Sequence, residues 1–268
     1  MPRLSRTSVL SSAPRPPWGW AVLGLLVGAL PALAIFAPAL WLAAGLSQAT
    51  AGQVQLVQAR GTVWNGSAQL VLAGGAGSQD RAALPGRLQW QLRPAWSGAR
   101  ATLRLDCCTT QPVQVHAQAG WGSGRVTVSD SQTQWPAAVL SGLGTPWNTV
   151  QPQGRLALQT RGLTADWSAG RTVLSGQVQL DALGMSSRLS TLRPMGSNRL
   201  ALQGGDAPTQ TLTTLEGALL LSGSGQWVGQ RLRFTGEATA APEREAALAN
   251  LLNIIGQRTG ARSIITVG

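Results

Sequence analysis

Residues 57–72 read VQARGTVWNGSAQLVL, and this stretch decides the fold class. Asn65-Gly66 between two alternating runs is the strongest short-range hairpin signal, because a type I′ turn needs positive φ at both central residues and these two tolerate it. Reading outward from that turn pairs Trp64 with Ser67. Ala59, Gly61, Val63, Ala68, Leu70 and Leu72 then share one face, and Arg60, Thr62, Trp64, Ser67, Gln69 and Val71 the other. In that register Gly61 lies opposite Leu70 and leaves room for it.

The same alternation recurs along the chain. Gly86 to Leu92 places Leu88, Trp90 and Leu92 on one face, and Ala101–Leu105, Gly154–Gln159, Gly176–Leu180 and Arg231–Thr235 repeat the pattern. Short strands separated by glycine, proline, asparagine and aspartate predict an antiparallel sandwich, barrel or curved sheet, since a βαβ fold would need helical patterns in between. One late helix is predicted. Ala241-Pro242-Glu243-Arg244-Glu245 supplies a first turn, Leu248, Leu251, Leu252 and Ile255 recur at helical spacing, and Gly256 stops the run. The tail from Ser263 to Val267 is β-prone and needs a partner strand.

Before the strands, Trp18 to Gln48 holds no charged residue. A secretory h-region is ~7–15 residues and a membrane-spanning helix roughly 20, so this stretch is long enough to stay in a bilayer. Trp18 and Trp20 stand near one end and Trp41 near the other, with Trp20 and Trp41 about 31 Å apart along a helix, where indoles favour the two interfaces. Pro31 and Pro38 inside the run are tolerated in a membrane. The alternative is a signal peptide cleaved after Ala49. Arg3, Arg6 and Arg15 precede the run without an acid, which keeps residues 1–17 cytoplasmic and sends the chain beyond about Thr50 across the membrane.

The composition argues against chemistry. The chain of 268 residues has one histidine, no tyrosine, no lysine and ten carboxylates, and its net charge of +11 comes wholly from arginine. The arginines are spaced singly, without a basic block or a reader motif, which excludes an ordinary nucleic-acid interface and favours anionic headgroups as neighbours. His116 has no second histidine to form a zinc site or triad, and Asp80, Asp106, Asp130, Asp166, Asp181 and Asp206 fall near predicted turns, where carboxylates cap amides. No catalytic residue, cofactor site or metal site is assigned. Cys107-Cys108 leaves two readings open, a vicinal disulfide at a strand end or two separate thiols.

Several of these segments resemble the protein N family of the type II, or general, secretion pathway of Gram-negative bacteria. Gly61-Thr62-Val63-Trp64-Asn65-Gly66 is similar to the G-T-h-W-x-G motif that opens the family's β domain. Leu88 to Pro94 with Ala95-Trp96-Ser97-Gly98 resembles its tryptophan-centred strand. Leu189 to Leu200 resembles its LSTLRPLGSY element, with Asn198 where an aromatic is usual, and Leu251 to Gly256 followed by Gly260-Ala261-Arg262 resembles its ending. The resemblance implies a cytoplasmic tail (1–17), an inner-membrane anchor (18–46) and a periplasmic β domain (50–268).

Residues and resemblance together predict a mainly β protein: one N-terminal transmembrane helix, then a curved antiparallel sheet or half-barrel with a short C-terminal helix. The implied role is non-enzymatic assistance to export of folded proteins across the outer membrane. Implied partners are inner-membrane platform subunits, the secretin channel and membrane lipid, with Trp64, Trp90 and Trp96 as candidate contacts unless they fill the domain's own core. The other functional reading is lipid handling in an apolar groove, as in the AsmA-like group of envelope proteins.

Overall fold

The computed structural model describes residues 18–268 apart from 169 and 230, and leaves the side chains of 19–21 undescribed. The predicted cytoplasmic tail with Arg3, Arg6 and Arg15, and the side chain of Trp20, lie outside the described residues. The chain divides into two compact units, residues 1–37 and 38–268.

In the first unit α1 runs from Trp18–Ile35, with Pro31 inside it. Its 18 residues extend about 27 Å, short of a hydrocarbon layer of ~30 Å, and among the described residues no helix is long and apolar enough to cross a membrane. The predicted anchor over 18–46 is not one helix. The helical run stops before Pro38, whose extended backbone (φ −68°, ψ 145°) starts a separate helix, α2 (Ala39–Ala49), in the second unit. Ala39, Leu42, Ala43 and Leu46, at helical spacing, pack on the sheet, while Leu40 and Trp41 are exposed. The outer side of α2 is apolar too, so the sequence hides its amphipathic character.

The second unit is one antiparallel sheet. Its strands are β1 (Val54–Gly61), β2 (Asn65–Ala73), β3 (Arg81–Ala83), β4 (Leu88–Ala95), β5 (Gly98–Leu105), β6 (Val113–Gly120), β7 (Ser123–Val128) and β8 (Ser131–Pro136). They continue as β9 (Gln153–Ser168), β10 (Arg171–Ser186), β11 (Gly196–Gly205), β12 (Thr209–Gly217), β13 (Leu219–Val228), β14 (Arg231–Ala240), β15 (Gln257–Thr259) and β16 (Arg262–Val267). Neighbours along the sheet run β1-β2-β4-β5-β6-β7-β9-β10-β11-β12-β13-β14-β16-β15. β3 lies beside β2, and the long β9 is shared on one side by β7 and β8. The predicted tail strand is β16, paired with β14.

Two apolar clusters close one face. The first gathers Leu56, Ala68, Leu70, Trp90 and Leu105 under α2 and the 3-10 helix Ala137–Leu143, which brings Val139. The second lies under a helix at Glu245–Ile255, numbered α4 after the short α3 (Trp147–Val150). There the predicted stripe Leu248, Leu251 and Leu252 is buried against Leu219 and Ala238, with Ile255 beside it. Phe234 is buried beside Gly223, where a Cβ would stand 2.6 Å from the ring edge.

The first hairpin differs from its sequence reading. Gly61 pairs with Gly66 and Arg60 with Ser67, so Val63 and Trp64 occupy the turn and Asn65-Gly66 begin β2. Neither Asn65 nor Gly66 has positive φ; the strain sits at Gln58 (φ 52°) in a bulge and at Gly61 (φ 88°). Two features outweigh the Asn-Gly preference. The Thr62 side chain accepts from the Asn65 amide at 3.1 Å, and the Thr62 amide donates to the Asn65 carbonyl at 2.9 Å. Beside the turn the face assignment survives because the register at Arg60 and Gly61 moves by an even step, and Ala59, Ala68, Leu70 and Leu72 all join the first cluster.

Candidate functional site

The motif residues around the first turn hold one another. Trp90 is 3 % exposed, and its indole N–H donates to the carbonyls of Val63 (3.1 Å) and Thr62 (3.3 Å). Gly66 makes the ring's place, since a Cβ there would lie 2.5 Å from Trp90 Cζ2. A Cβ on Gly61 would enter the shell of the Asn65 carbonyl oxygen, besides the positive φ that only glycine adopts easily. The Trp64 carbonyl accepts from the Leu92 amide at 2.7 Å and so ties the turn to β4. Trp90 is therefore a core residue and drops out as a contact, because filling the cluster and capping the turn use its whole ring.

The Leu189–Leu192 element is likewise architectural. Ser187 Oγ donates to the Val150 carbonyl at 2.6 Å, the Leu189 and Leu192 amides donate to Ser187 and Ser190 at 3.1 Å, and Leu189 and Leu192 pack beneath α4. Asn198 is buried and accepts from the Thr214 hydroxyl at 2.9 Å.

The carboxylates are occupied in the same way. Asp80 accepts from Asn148 (2.9 Å), Asp106 from Gln89 (3.2 Å) and Asp130 from the Gly162 amide (2.7 Å), as turn residues do. Asp166 pairs with Arg125. Asp181 takes a bidentate grip from Arg199 at 2.7 and 2.8 Å, and that hydrogen bond holds its carboxyl below the usual aspartate range. His116 lies mid-strand on β6, opposite Arg100 and Thr127. Among the described residues no group of three His, Cys, Asp or Glu could hold a metal. Cys107 and Cys108 are joined through their sulfurs in the β5–β6 connection, with Cys108 buried in the first cluster.

The side chains left for contact gather at one end of the sheet. Following the registers, the turns after β1, β4, β6, β9, β11 and β13 all emerge at that end. Five of these turns carry a tryptophan: Trp64 in the first, Trp96 and Trp121 at the tips of the next two, and Trp167 and Trp227 beside the strand ends of two others. Trp96 and Trp121 are fully exposed, and Trp167 and Trp227 are about 40 % exposed, the Trp167 ring lying over Gly124. The sixth turn joins this rim through the Trp227 amide, which donates to the Pro208 carbonyl at 3.1 Å. Pro38, the first residue of this unit, bridges Thr62 at the same rim, so Trp41 projects one helical turn from it.

Of the predicted contacts, Trp64 and Trp96 thus lie on the rim and Trp90 does not. The sequence reading missed Trp121, Trp167 and Trp227. They stand far apart in the chain, and only strand pairing aligns them.

A family model described as type II secretion system protein N matches residues 52–265. No curated protein matches the chain, and no solved structure does.

Proposed function

Because the chain belongs to the type II secretion system protein N family, we propose that it is a non-enzymatic, inner-membrane-anchored component that assists export of folded proteins across the outer membrane. Family membership supports a role in type II secretion and contact with other secretion subunits. The observation that carries the non-enzymatic reading is the engagement of the motif residues in turn and core geometry, with most carboxylates tied to structural partners.

In this reading residues 1–17 stay in the cytoplasm, the uncharged run through α1 is the anchor, and the β domain stands in the periplasm. The α2 segment belongs to that domain, so the anchor ends near Ala37 and needs residues flanking α1 to reach full bilayer thickness. Platform subunits, and the secretin, are engaged through a sheet edge: β1 and β15 are the terminal strands, and an extended segment of a partner can add to such an edge. In cells, photo-crosslinkers at Val57 on β1 and at Trp96 test this. Capture of platform or secretin subunits from Val57 is expected; capture of none from either position contradicts the role.

A second reading, lipid handling, is favoured by one feature. Leu158, Leu180, Leu200 and Leu212 are successive cross-strand partners from β9 to β12, all half-buried, and none belongs to either helix-covered cluster. If the sheet curves around this rank it shelters acyl chains. Mass spectrometry of the purified chain is expected to find co-purifying phospholipid; a lipid-free chain with full secretion activity contradicts it.

A further inference from the structure

The rim brings together two fully exposed indoles and a set of exposed arginines. Two of its indoles, Trp96 and Trp121, stand at turn tips and are fully exposed, and Leu40 and Trp41 on α2 are exposed beside the first turn. Soluble domains do not ordinarily hold such rings in water, and indoles are enriched at the headgroup level of bilayers. The cations are placed to match. Arg93 and Arg100 face each other just below the Trp96 tip, Arg171 follows the β9–β10 turn, and Arg231 and Arg233 follow the β13–β14 turn, all exposed. Two acids accompany them, Asp166, which is paired to Arg125, and Asp206. Arg93 and Arg100, directly opposite each other, repel within the chain, and a surface of phosphate headgroups relieves that cost and attracts both.

We propose that this rim docks on the surface of an anionic phospholipid bilayer, the turn indoles at headgroup level and the arginines on phosphates. The chain enters the domain at this same end, because Pro38 bridges Thr62. A span ending near Ala37 is therefore joined by the chain to the rim end of the domain; which bilayer the rim meets rests on the anchored reading above. Docking also gives the apolar rank between the two clusters an orientation, with its strands running away from the lipid surface.

The test uses the full chain with Cys107 and Cys108 replaced by serine and a nitroxide on a single cysteine: Trp96→Cys, Trp121→Cys, or Thr110→Cys at the opposite end. Each is reconstituted in vesicles containing phosphatidylglycerol or phosphatidylcholine alone, after circular dichroism confirms the fold. The labels at 96 and 121 are expected to lose contact with a water-soluble relaxant several-fold relative to 110, and only in the anionic vesicles. Each of Arg93→Gln and Arg100→Gln should weaken that protection about fivefold, the factor equivalent to ~1 kcal/mol per cation near such a surface. Equal accessibility at all three positions overturns the proposal, as does protection that appears only when secretion subunits are added. If an alkaline wash strips the chain from the vesicles, the anchor fails by itself; the rim then stands or falls on salt-sensitive binding of the same chain to anionic vesicles.

Discussion

The two ends of the sheet are built on opposite principles. At the rim the strands are joined by tight turns whose side chains project outward, Trp96 and Trp121 foremost. At the other end the connections carry β3, the Cys107-Cys108 pair, the Ala137–Leu143 helix, the Leu189–Leu192 element and α4; Cys108, Val139, Leu189, Leu192, Leu248, Leu251 and Leu252 fold back under the sheet, while Trp147 and Ile254 stay exposed. One end closes the core. The other carries the two indoles that are exposed in full. Long connections bury apolar surface at about 25 cal/mol per Å² and therefore serve stability, whereas a rim of exposed indoles contributes little to it and is open to contact.

Substitutions should separate the ends by size of effect. The largest belongs to the ring that looks like a rim residue in sequence but is not: Trp90→Ala should cost about 3–5 kcal/mol in denaturant unfolding, because it empties the first cluster and frees two turn carbonyls. A loss below about 1 kcal/mol would erase the distinction between Trp90 and Trp96. At the closed end, Leu252→Ala should cost about 2–5 kcal/mol, since the side chain is fully buried on the packing face of α4. Gly61→Val, next to the rim, should cost on the order of 1–3 kcal/mol from its φ of 88°. A variant as stable as the parent would show the turn to be placed wrongly.

A smaller effect depends on pH. The Arg199 hydrogen bond depresses the folded pKa of Asp181, so the pair's stabilisation is present above the unfolded value of about 3.9 and is lost as pH falls through the lower folded value. The stability gap between parent and Arg199→Ala should therefore narrow below about pH 4, read from urea midpoints across pH. A gap that widens on acidification would contradict the assignment. Smallest of all, Trp121→Ala should change stability by less than about 0.5 kcal/mol while weakening attachment to anionic vesicles.

Much of this architecture was legible in the residues. Strict alternation placed Leu88, Trp90 and Leu92 on the buried side of β4, and the spacing of Leu248, Leu251, Leu252 and Ile255 gave α4 and its packing face. The first turn differs because Asn65-Gly66 satisfies a local preference, while the Gln58 bulge is held by Arg87 at 2.9 Å and the Thr62 and Val63 carbonyls by Trp90, both from residues more than twenty positions away. α2 was hidden inside an apolar run, since alanine, leucine and tryptophan on its outer side erase the contrast that periodicity needs. The rim was invisible for a third reason: it is a property of strand order, assembled from turns scattered between Trp64 and Trp227.

The central claim is an anchored chain whose β domain stands on the far side of the inner membrane, rim toward lipid. Protease added to cells, to cells with an opened outer membrane and to lysates, followed by an alkaline wash of the membranes, tests it most directly. The account predicts a β domain cut once the outer membrane is opened and an undigested chain that stays with washed inner membranes. A chain protected until the inner membrane is broken, or released into the soluble fraction by the wash, would contradict it.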